Sequence, residues 1–367
     1  MSLKIISTRK EIKKSFGEEP ILAATIRLTT GCNLKCPHCY VNAGEKLENE
    51  LSLGEIKSIV DQLAELKVFS IFFTGGEPFL KKDIVEILKY TNKKGIGIAI
   101  STNGTLLNRE ILEKMKNIHF DLFQLSLDGS KEIHEKIRGK GSWQKIISNI
   151  KLAKSILKKN IGLGIVITKD NWDFLDETIA NGVNLGADRI TLMCLILSGR
   201  ASKKLNPTPK EFLESINKIF NKYKTLQSKA RFSKDTTIPS ALIPKEWREK
   251  GLHRTFAPCS FPYYIAINSN GDVAPCDGLF NYPEMIIGNV RERSLLEIWQ
   301  KSELLEDLRK INPSDLKGVC KKCIYLDYCA GACRASAYIN YQDFTMPDPV
   351  CQTIYEAGLF PKDCLKS

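Results

Sequence analysis

The sequence predicts an α/β protein: a partial (β/α)6 TIM-like barrel followed by a small cysteine-rich domain. Six short runs rich in Ile, Val and Phe predict β-strands, and the amphipathic stretches between them predict helices. Strands that alternate with helices are typical of a parallel sheet, because each helix returns the chain to the same edge. Most of the twelve cysteines stand in two groups, one after the first predicted strand and one in the last third of the chain.

Each predicted strand is followed by a segment long enough for one helix. The predicted strands are residues 21–28, 68–73, 97–100, 122–127, 161–167 and 189–195. After the first strand, Ser52 and Glu55 have the spacing of a capping box and predict the start of a helix. Residues 142–157 carry apolar side chains at helical spacing and predict another helix. Barrels of this kind keep their active residues at the C-terminal strand ends, so the turns there are candidate sites.

Changes in composition divide the chain into four parts. We expect an N-terminal extension at 1–20, the barrel at 21–235, a linker at 236–258 and the cysteine-rich domain at 259–367. The end of the barrel, residues 203–234, is rich in lysine and predicts helix. The linker prediction depends on Pro239, Pro244 and Gly251, because proline and glycine interrupt regular structure.

The composition excludes several classes of protein. No run approaches the roughly 18 consecutive apolar residues of a membrane-spanning helix, and the first 20 residues lack the apolar core of a signal peptide. Cysteines without an export signal predict metal binding in a reducing cytoplasm rather than disulfides. The formal charge of +12 at pH 7 suits an acidic substrate. Nucleic acid is not the expected partner, because the basic residues are scattered and no nucleic-acid-binding motif accompanies them.

Three cysteines with the spacing C-x3-C-x2-C follow the first predicted strand: Cys32, Cys36 and Cys39. An iron–sulfur cubane takes four thiolates, one per iron, so three thiolates leave one iron free to bind another ligand. The alternatives are a structural zinc or an electron-transfer cluster, and each would need a fourth ligand. His38 is close in sequence, but it lies between two of the cysteines. The spacing therefore favours a reactive cluster.

This motif resembles the signature of the radical S-adenosylmethionine (AdoMet) enzymes, and the resemblance covers residues 21–351. In that family the odd iron binds the amino and carboxylate groups of AdoMet, and one electron releases a 5′-deoxyadenosyl radical. The resemblance implies a [4Fe–4S] cluster at the three cysteines and AdoMet as a cofactor. It also implies a low-potential electron donor such as ferredoxin or flavodoxin.

The turn after the second predicted strand has the sequence Thr74-Gly75-Gly76-Glu77-Pro78. Paired glycines let the backbone approach a ligand closely, and proline stiffens the exit from the turn. In the family that this chain resembles, Gly-Gly-Glu-Pro offers backbone oxygens to the amino group of AdoMet. The alternative is an ordinary turn with no ligand.

Five further residues resemble AdoMet contacts of the family, and each has a structural alternative. Ser126 and Arg138 resemble the pair that binds the AdoMet carboxylate, whereas the alternative for Arg138 is a surface salt bridge. Asn103 would contact the ribose or merely close its own turn. Met193 and Leu195 lie at the end of the sixth predicted strand, where such barrels stack the adenine; otherwise they are core residues.

The C-terminal cysteines resemble the seven-cysteine SPASM extension of radical AdoMet enzymes, which carries two auxiliary [4Fe–4S] clusters. The seven are Cys259, Cys276, Cys320, Cys323, Cys329, Cys333 and Cys351. A zinc-ribbon-like module is the alternative. The resemblance assigns the distal cluster to Cys320, Cys323, Cys329 and Cys351. It assigns only Cys259, Cys276 and Cys333 to the proximal cluster, and the chain would then bind three [4Fe–4S] clusters in all.

The fourth ligand of the proximal cluster is left undecided by the sequence. The site is open, or it takes His253, or it takes the spare cysteine Cys194 from the sixth predicted strand. Cys194 is otherwise a buried core thiol. Cys364 is the second spare cysteine, and we expect it to be free because it lies near the terminus.

The resemblance implies hydrogen abstraction followed by oxidative modification of a peptide or protein, as a crosslink or an oxidised side chain. Only about 20 residues precede the barrel, so a leader peptide would need a separate binding protein or none. The alternative substrate is a tetrapyrrole, decarboxylated oxidatively in haem biosynthesis, because residues 316–351 resemble both kinds of enzyme. A third interpretation is a non-catalytic electron carrier. No spacing singles out the residue that exchanges a proton.

Overall fold

The computed structural model describes residues 20–158, 160–233, 237–251 and 262–366. All six predicted strands are present, and each pairs in parallel with the next. They are β1 (Ala23–Arg27), β2 (Ser70–Thr74), β3 (Gly97–Thr102), β4 (Leu122–Ser126), β5 (Ile161–Val166) and β6 (Arg189–Met193). Because they are parallel, their C-terminal ends meet at one edge, where the predicted site residues lie.

Helices cross between these strands, as the periodicity predicts. They are α1 (Leu53–Glu65), α2 (Ile84–Lys93), α3 (Arg109–Met115), α4 (Lys131–Arg138), α5 (Ser142–Leu157), α6 (Leu175–Asn184) and α7 (Pro209–Leu226). The predicted capping box is present, with Ser52 and Glu55 each accepting a hydrogen bond from the other's backbone N–H. The buried residues of α1 recur at helical spacing, so they form one apolar face of the helix. This face packs into the main hydrophobic core.

The sheet is wider than the sequence predicts. A short strand β7 (Arg231–Phe232) extends it beyond β6, where a helix was predicted throughout the lysine-rich stretch. On the other side, β8 (Tyr264–Ile267) pairs in parallel with β1. The antiparallel strands β9 (Asp272–Ala274) and β10 (Gly288–Asn289) complete one sheet in the order β10-β9-β8-β1-β2-β3-β4-β5-β6-β7. The cysteine-rich part therefore continues the sheet of the barrel.

The segment predicted as a linker is packed into the protein where the structure describes it. Ala241, Leu242, Ile243 and Trp247 are buried, and the Trp247 ring lies 5.6 Å from the ring of Tyr223. The apolar side chains of this segment are therefore buried, although its prolines interrupt regular backbone structure. The proposed domain boundaries remain predictions. His253 and Cys259 lie outside the described residues.

Short helices form the C-terminal part of the described chain. They are α8 (Lys245–Glu249), α9 (Leu295–Lys301), α10 (Glu303–Lys310), α11 (Gly318–Lys322), α12 (Leu326–Cys329), α13 (Arg334–Tyr341) and α14 (Pro349–Glu356). A small apolar cluster that includes Leu279, Leu308 and Tyr338 holds several of them together. None of the described helices has the length and apolar character needed to cross a membrane.

Candidate active site

The cysteine loop, residues 31–44, leaves the end of β1 and returns close to its own start. Cys32 N donates to Gly44 O at 2.8 Å, and Gly44 N donates to Thr30 O at 3.0 Å. Cys36 is buried, whereas Cys32 and Cys39 are half-buried, and all three thiols are free of disulfides. The fold therefore presents the predicted cluster ligands on one closed loop at the C-terminal edge of the sheet.

The thiols of this loop have the donor chemistry that an iron–sulfur cluster requires. Burial raises the pKa of Cys32 to about 11 and also raises the pKa of Cys36, so metal binding must displace protons. Each thiolate of a cubane binds a different iron, so three cysteines would hold three irons. The donor set therefore fits an iron–sulfur cluster.

The paired glycines after β2 let that turn contact the cysteine loop. Gly76 N donates to Thr29 O, and Glu77 N donates to Gly31 O, both at 2.8 Å. A Cβ atom at Gly76 would lie 2.1 Å from Gly31 O, and one at Gly75, where φ is +141°, would lie 2.4 Å from Thr29 O. Any side chain would push the two segments apart, so glycine is required here for the packing of the backbone.

The Glu77 side chain is fully buried and is used within the protein. Its carboxylate accepts hydrogen bonds from Thr102 Oγ1 at 2.6 Å, Asn103 N at 2.8 Å and Phe79 N at 3.2 Å. Burial raises the pKa of Glu77, although these donors oppose the rise. Pro78 begins a short 3-10 helix directly afterwards. Glu77 thus joins the turn after β2 to the end of β3, and the AdoMet contact predicted for this turn would involve backbone atoms.

Asn103 closes its own turn and also contacts the cysteine loop. Its Oδ1 accepts from Thr105 N at 2.9 Å, and its Nδ2 donates to Asn33 Oδ1 at 2.9 Å. Asn33 lies between two of the cluster cysteines. Asn103 therefore does close its own turn, as the structural alternative predicted. Its contact with the ribose of AdoMet remains a prediction.

Arg138 forms a buried ion pair with Asp128 rather than a surface salt bridge. Burial opposes the charge of both groups, yet the pKa of Asp128 is lowered by Arg138 and the pKa of Arg138 is raised by Asp128. Ser126 Oγ donates to Thr102 O at 3.3 Å. The structure thus gives Arg138 a different carboxylate partner from the one predicted, and its binding of AdoMet remains a prediction.

Unpartnered polar atoms surround this ion pair. His38 Nδ1, Asp128 Oδ1 and His134 Nε2 are buried and have no hydrogen-bond partner among the described residues. Burial lowers the pKa of His38 to about 4 and that of His134 to about 4, so both rings are neutral. A buried polar atom without a partner is unfavourable unless a ligand completes it. These unpartnered atoms could hydrogen-bond to a polar cofactor such as AdoMet.

The predicted adenine contacts lie at the end of β6. Met193 is half-buried and Leu195 is buried, and their contact with adenine remains a prediction. Between them, Cys194 is half-buried rather than a core thiol. Its N–H donates to Thr237 Oγ1 at 3.1 Å, and its Sγ lies 3.7 Å from Thr237 O.

A buried three-residue bridge, which the sequence did not suggest, joins the cysteine loop to the strand end that carries Cys276. Arg27 Nε lies 2.5 Å from Asp277 Oδ1, and Tyr40 Oη donates to Asp277 Oδ2 at 2.5 Å. One feature of the sequence could have indicated this bridge. Tyr40 directly follows Cys39, and Asp277 directly follows Cys276, so both are next to a predicted cluster ligand.

The four cysteines assigned to the distal cluster line one cavity. Cys320, Cys323, Cys329 and Cys351 face it together with Asp348. Asp348 caps α14 by accepting hydrogen bonds from the backbone N–H groups of Val350 and Cys351, both at 3.1 Å. The structure thus brings together the distal ligand set that the resemblance implied.

Two further cysteines of the described chain share apolar surroundings. Cys276 and Cys333 both pack against the apolar cluster near Leu279, and their assignment to the proximal cluster remains a prediction. Cys364 is free but fully buried, and Arg248 Nη1 lies 2.7 Å from its Sγ.

Comparison with known proteins supports this interpretation of the site. Residues 26–181 match the Radical SAM superfamily, and residues 259–324 match SPASM, an iron–sulfur cluster-binding domain. Fe-coproporphyrin III synthase of Methanosarcina barkeri is 31% identical over 88% of this chain and 86% of its own. AdoMet-dependent heme synthase of the same organism is 28% identical, over 90% and 95%. Mycofactocin maturase MftC of Mycolicibacterium smegmatis is 28% identical, over 95% and 87%.

A solved structure has the same fold. Streptococcus suis SuiB bound to S-adenosylmethionine aligns with a TM-score of 0.73 and 21% identity, over 94% of this chain and 80% of that one. The predicted fold class and the resemblance to radical AdoMet enzymes are confirmed. Two family matches, and a relative 31% identical over most of its length, show that this chain belongs to the radical SAM superfamily, as a SPASM-containing enzyme that uses iron–sulfur clusters and AdoMet.

Proposed function

We propose that this enzyme uses three [4Fe–4S] clusters and AdoMet to oxidise a carbon centre in a peptide or protein, forming a crosslink or an oxidised side chain. The bridge of Arg27, Asp277 and Tyr40 carries the proposal, because it places a buried carboxylate between two ligand-bearing segments. After a substrate loses a hydrogen atom, its oxidation must still release a proton and an electron. A positioned carboxylate can take the proton.

The cluster ligands fall into three sets. They are Cys32, Cys36 and Cys39; then Cys259, Cys276 and Cys333; and finally Cys320, Cys323, Cys329 and Cys351. When bound, the clusters supply electron transfer and AdoMet supplies the 5′-deoxyadenosyl radical that abstracts hydrogen. The cavity lined by the third set supports the distal assignment. A donor such as ferredoxin or flavodoxin would deliver the electron in the reducing cytoplasm.

The chain's own residues hold the proton acceptor in place. The Arg27 guanidinium stabilises the Asp277 carboxylate through Oδ1, because a buried charge requires an opposite charge nearby. Tyr40 orients Oδ2 through its hydrogen bond. Asp277 can then take the substrate proton at Oδ2, with the Tyr40 hydroxyl beside it.

The peptide substrate is supported by the similarity to mycofactocin maturase MftC over 95% of this chain. The second candidate is the oxidative decarboxylation of a tetrapyrrole, which is favoured by the 28% identity to AdoMet-dependent heme synthase over 90% of this chain. The formal charge of +12 suits an acidic peptide and the propionates of a tetrapyrrole equally well.

Native mass spectrometry with iron analysis on anaerobically purified protein tests the proposal. We expect about twelve irons per chain, four for each cluster. A co-purified peptide that loses hydrogen when AdoMet and reductant are added would support the leading function. An added iron-coproporphyrin that loses CO2 would establish the second candidate instead. Four irons or fewer in folded protein would contradict the three-cluster proposal.

A further inference from the structure

The loop after β6 covers the cysteine loop. This β6 loop, residues 196–201, turns sharply, because Ser198 N donates to Ile196 O at 2.8 Å and Ala201 N donates to Ser198 O at 3.1 Å. From this turn, Arg200 N donates to Cys39 O at 3.0 Å. The β6 loop thus contacts the backbone of a cluster ligand.

A glycine allows this close approach. Gly199 has a φ of +59°, and a Cβ atom there would lie 2.6 Å from both Cys39 O and Tyr40 O. The C-terminal part of the chain secures the contact, because Asn281 Nδ2 donates to Tyr40 O at 2.8 Å and to Ser198 Oγ at 2.7 Å. Backbone, glycine and amide contacts together fix the β6 loop against the cysteine loop.

The Arg200 side chain holds the cysteine loop at two separate points. Its Nε donates to Cys36 O at 3.0 Å, and its Nη1 donates to Ala43 O at 2.6 Å and to Asn42 Oδ1 at 3.3 Å. The guanidinium is rigid and planar, so these donors fix the distance between the middle of the loop and its end. A lysine ammonium carries no such fork.

The cysteine loop makes few hydrogen bonds of its own between these points. Cys39 N donates to Cys36 O at 3.3 Å, and Asn42 N donates to Cys39 O at 3.3 Å, both near the long limit. A loop held so weakly would lose conformational freedom when the cluster binds, and that loss opposes binding. A site ordered in advance avoids this cost.

We propose that Arg200 is a positioning residue that holds the cysteine loop in its ligand-binding conformation before iron enters. The inference concerns assembly of the first cluster and goes beyond the proposed function, because it holds for any substrate. Substitution of Arg200 should therefore impair assembly of the AdoMet-binding cluster alone. The Arg200 side chain contacts the cysteine loop and none of the auxiliary ligands that the structure describes.

Reconstitution of full-length apoprotein with iron and sulfide tests this inference. The first cluster is recognised by the change that AdoMet causes in its EPR spectrum, because only an iron with a free position binds AdoMet. We expect Arg200→Gln to slow the appearance of this signal roughly tenfold, as for the loss of a strong hydrogen bond. Arg200→Lys should remain defective, because it keeps the charge and loses the fork.

Arg109→Gln is the matched control, because Arg109 is an exposed arginine on α3. Iron bound at the auxiliary sites and the melting temperature of the apoprotein should match wild type in all three variants. An Arg200→Gln signal that forms at the control rate would overturn the inference. Equal loss of auxiliary iron, or an unfolded apoprotein, would also overturn it by showing a general structural role.

Discussion

At the scale of single residues, the candidate active site contains buried polar groups beside the cysteine loop. Asp277 lies between a guanidinium and a phenol, and Asp128 pairs with Arg138 while one of its oxygens stays unpartnered. Such arrangements are unfavourable in a protein interior unless partners or a ligand compensate them. Their position beside the cysteine loop therefore marks the active site.

We expect Asp277→Asn to separate AdoMet cleavage from substrate oxidation. The amide cannot accept the substrate proton, so product formation should fall roughly 100-fold, as for loss of a general base. Formation of 5′-deoxyadenosine should continue, because the first-cluster cysteines are unchanged. Both products can be quantified by mass spectrometry in one anaerobic assay.

A matched control is Asp61→Asn, which changes another carboxylate that accepts a tyrosine hydrogen bond, from Tyr90 at 2.8 Å. Its product yield should stay near wild type, because the Tyr90–Asp61 pair joins α1 to α2, and neither helix carries a cysteine. If Asp277→Asn forms product at the control rate, Asp277 is not the proton acceptor.

At the scale of elements, the start of α1 joins the barrel to the C-terminal part. Glu55 completes the capping box with Ser52 and also pairs with Arg291, whose Nε lies 2.5 Å from its Oε1. Arg291 lowers the pKa of Glu55 to about 2, with help from Ser52. One half-exposed carboxylate therefore contributes both to a helix start and to a contact between distant parts of the chain.

Glu55→Ala should lower the free energy of unfolding at pH 7 by about 1 kcal/mol, since it removes the acceptor of the capping box and an exposed salt bridge adds little. The folded state lowers the pKa of Glu55, so its stabilisation is complete above pH 4.5 and is lost as the pH falls towards about 2. Urea unfolding of wild type and variant should show the difference narrowing over that range.

Glu86→Ala provides the comparison, because Glu86 pairs with Lys57 on the surface and completes no capping box. We expect its free energy of unfolding to stay within about 0.5 kcal/mol of wild type. A Glu55→Ala effect no larger than this, or one independent of pH, would contradict the role given to Glu55.

At the scale of the whole molecule, one continuous sheet links the radical site to the auxiliary sites. Strand β8 pairs in parallel with β1, and β9 returns antiparallel beside β8. Asp277 follows β9 and accepts the hydrogen bond of Tyr40 in the cysteine loop. Beyond this sheet, residues of α11, α12 and α14 line the distal cavity. Metal binding at such a cavity stabilises the fold that forms it.

We expect Cys351→Ser to lose about four irons per chain and to lower the melting temperature, because one distal ligand is removed. The EPR change caused by AdoMet should persist, since the first cluster is separate. Cys364→Ser should keep the full iron content, because Cys364 is buried beside Arg248 and is assigned to no cluster. Equal iron loss in both variants would contradict the distal assignment.

Local sequence patterns predicted much of the fold. The six barrel strands and helix α5 lie where apolar periodicity placed them, because each depends on neighbouring residues. Strand β7 is only two residues long, and β8 to β10 lie in a part of the chain dominated by cysteines and turns. Strands β7 and β8 pair with the edge strands β6 and β1 of the barrel. These edges exist only in the folded sheet, so the local sequence pattern cannot predict the pairing.

The sequence by itself determined the chemistry: the spacing of Cys32, Cys36 and Cys39 and of the C-terminal cysteines identified the clusters and the family. Only the tertiary structure decided which polar groups meet there. Tyr40 and Asp277 are 237 positions apart, and Arg200 and Cys36 are 164 apart. Ligand spacing is local because one short loop must surround a cluster. Contacts between distant loops exist only once the sheet has brought their ends to one edge.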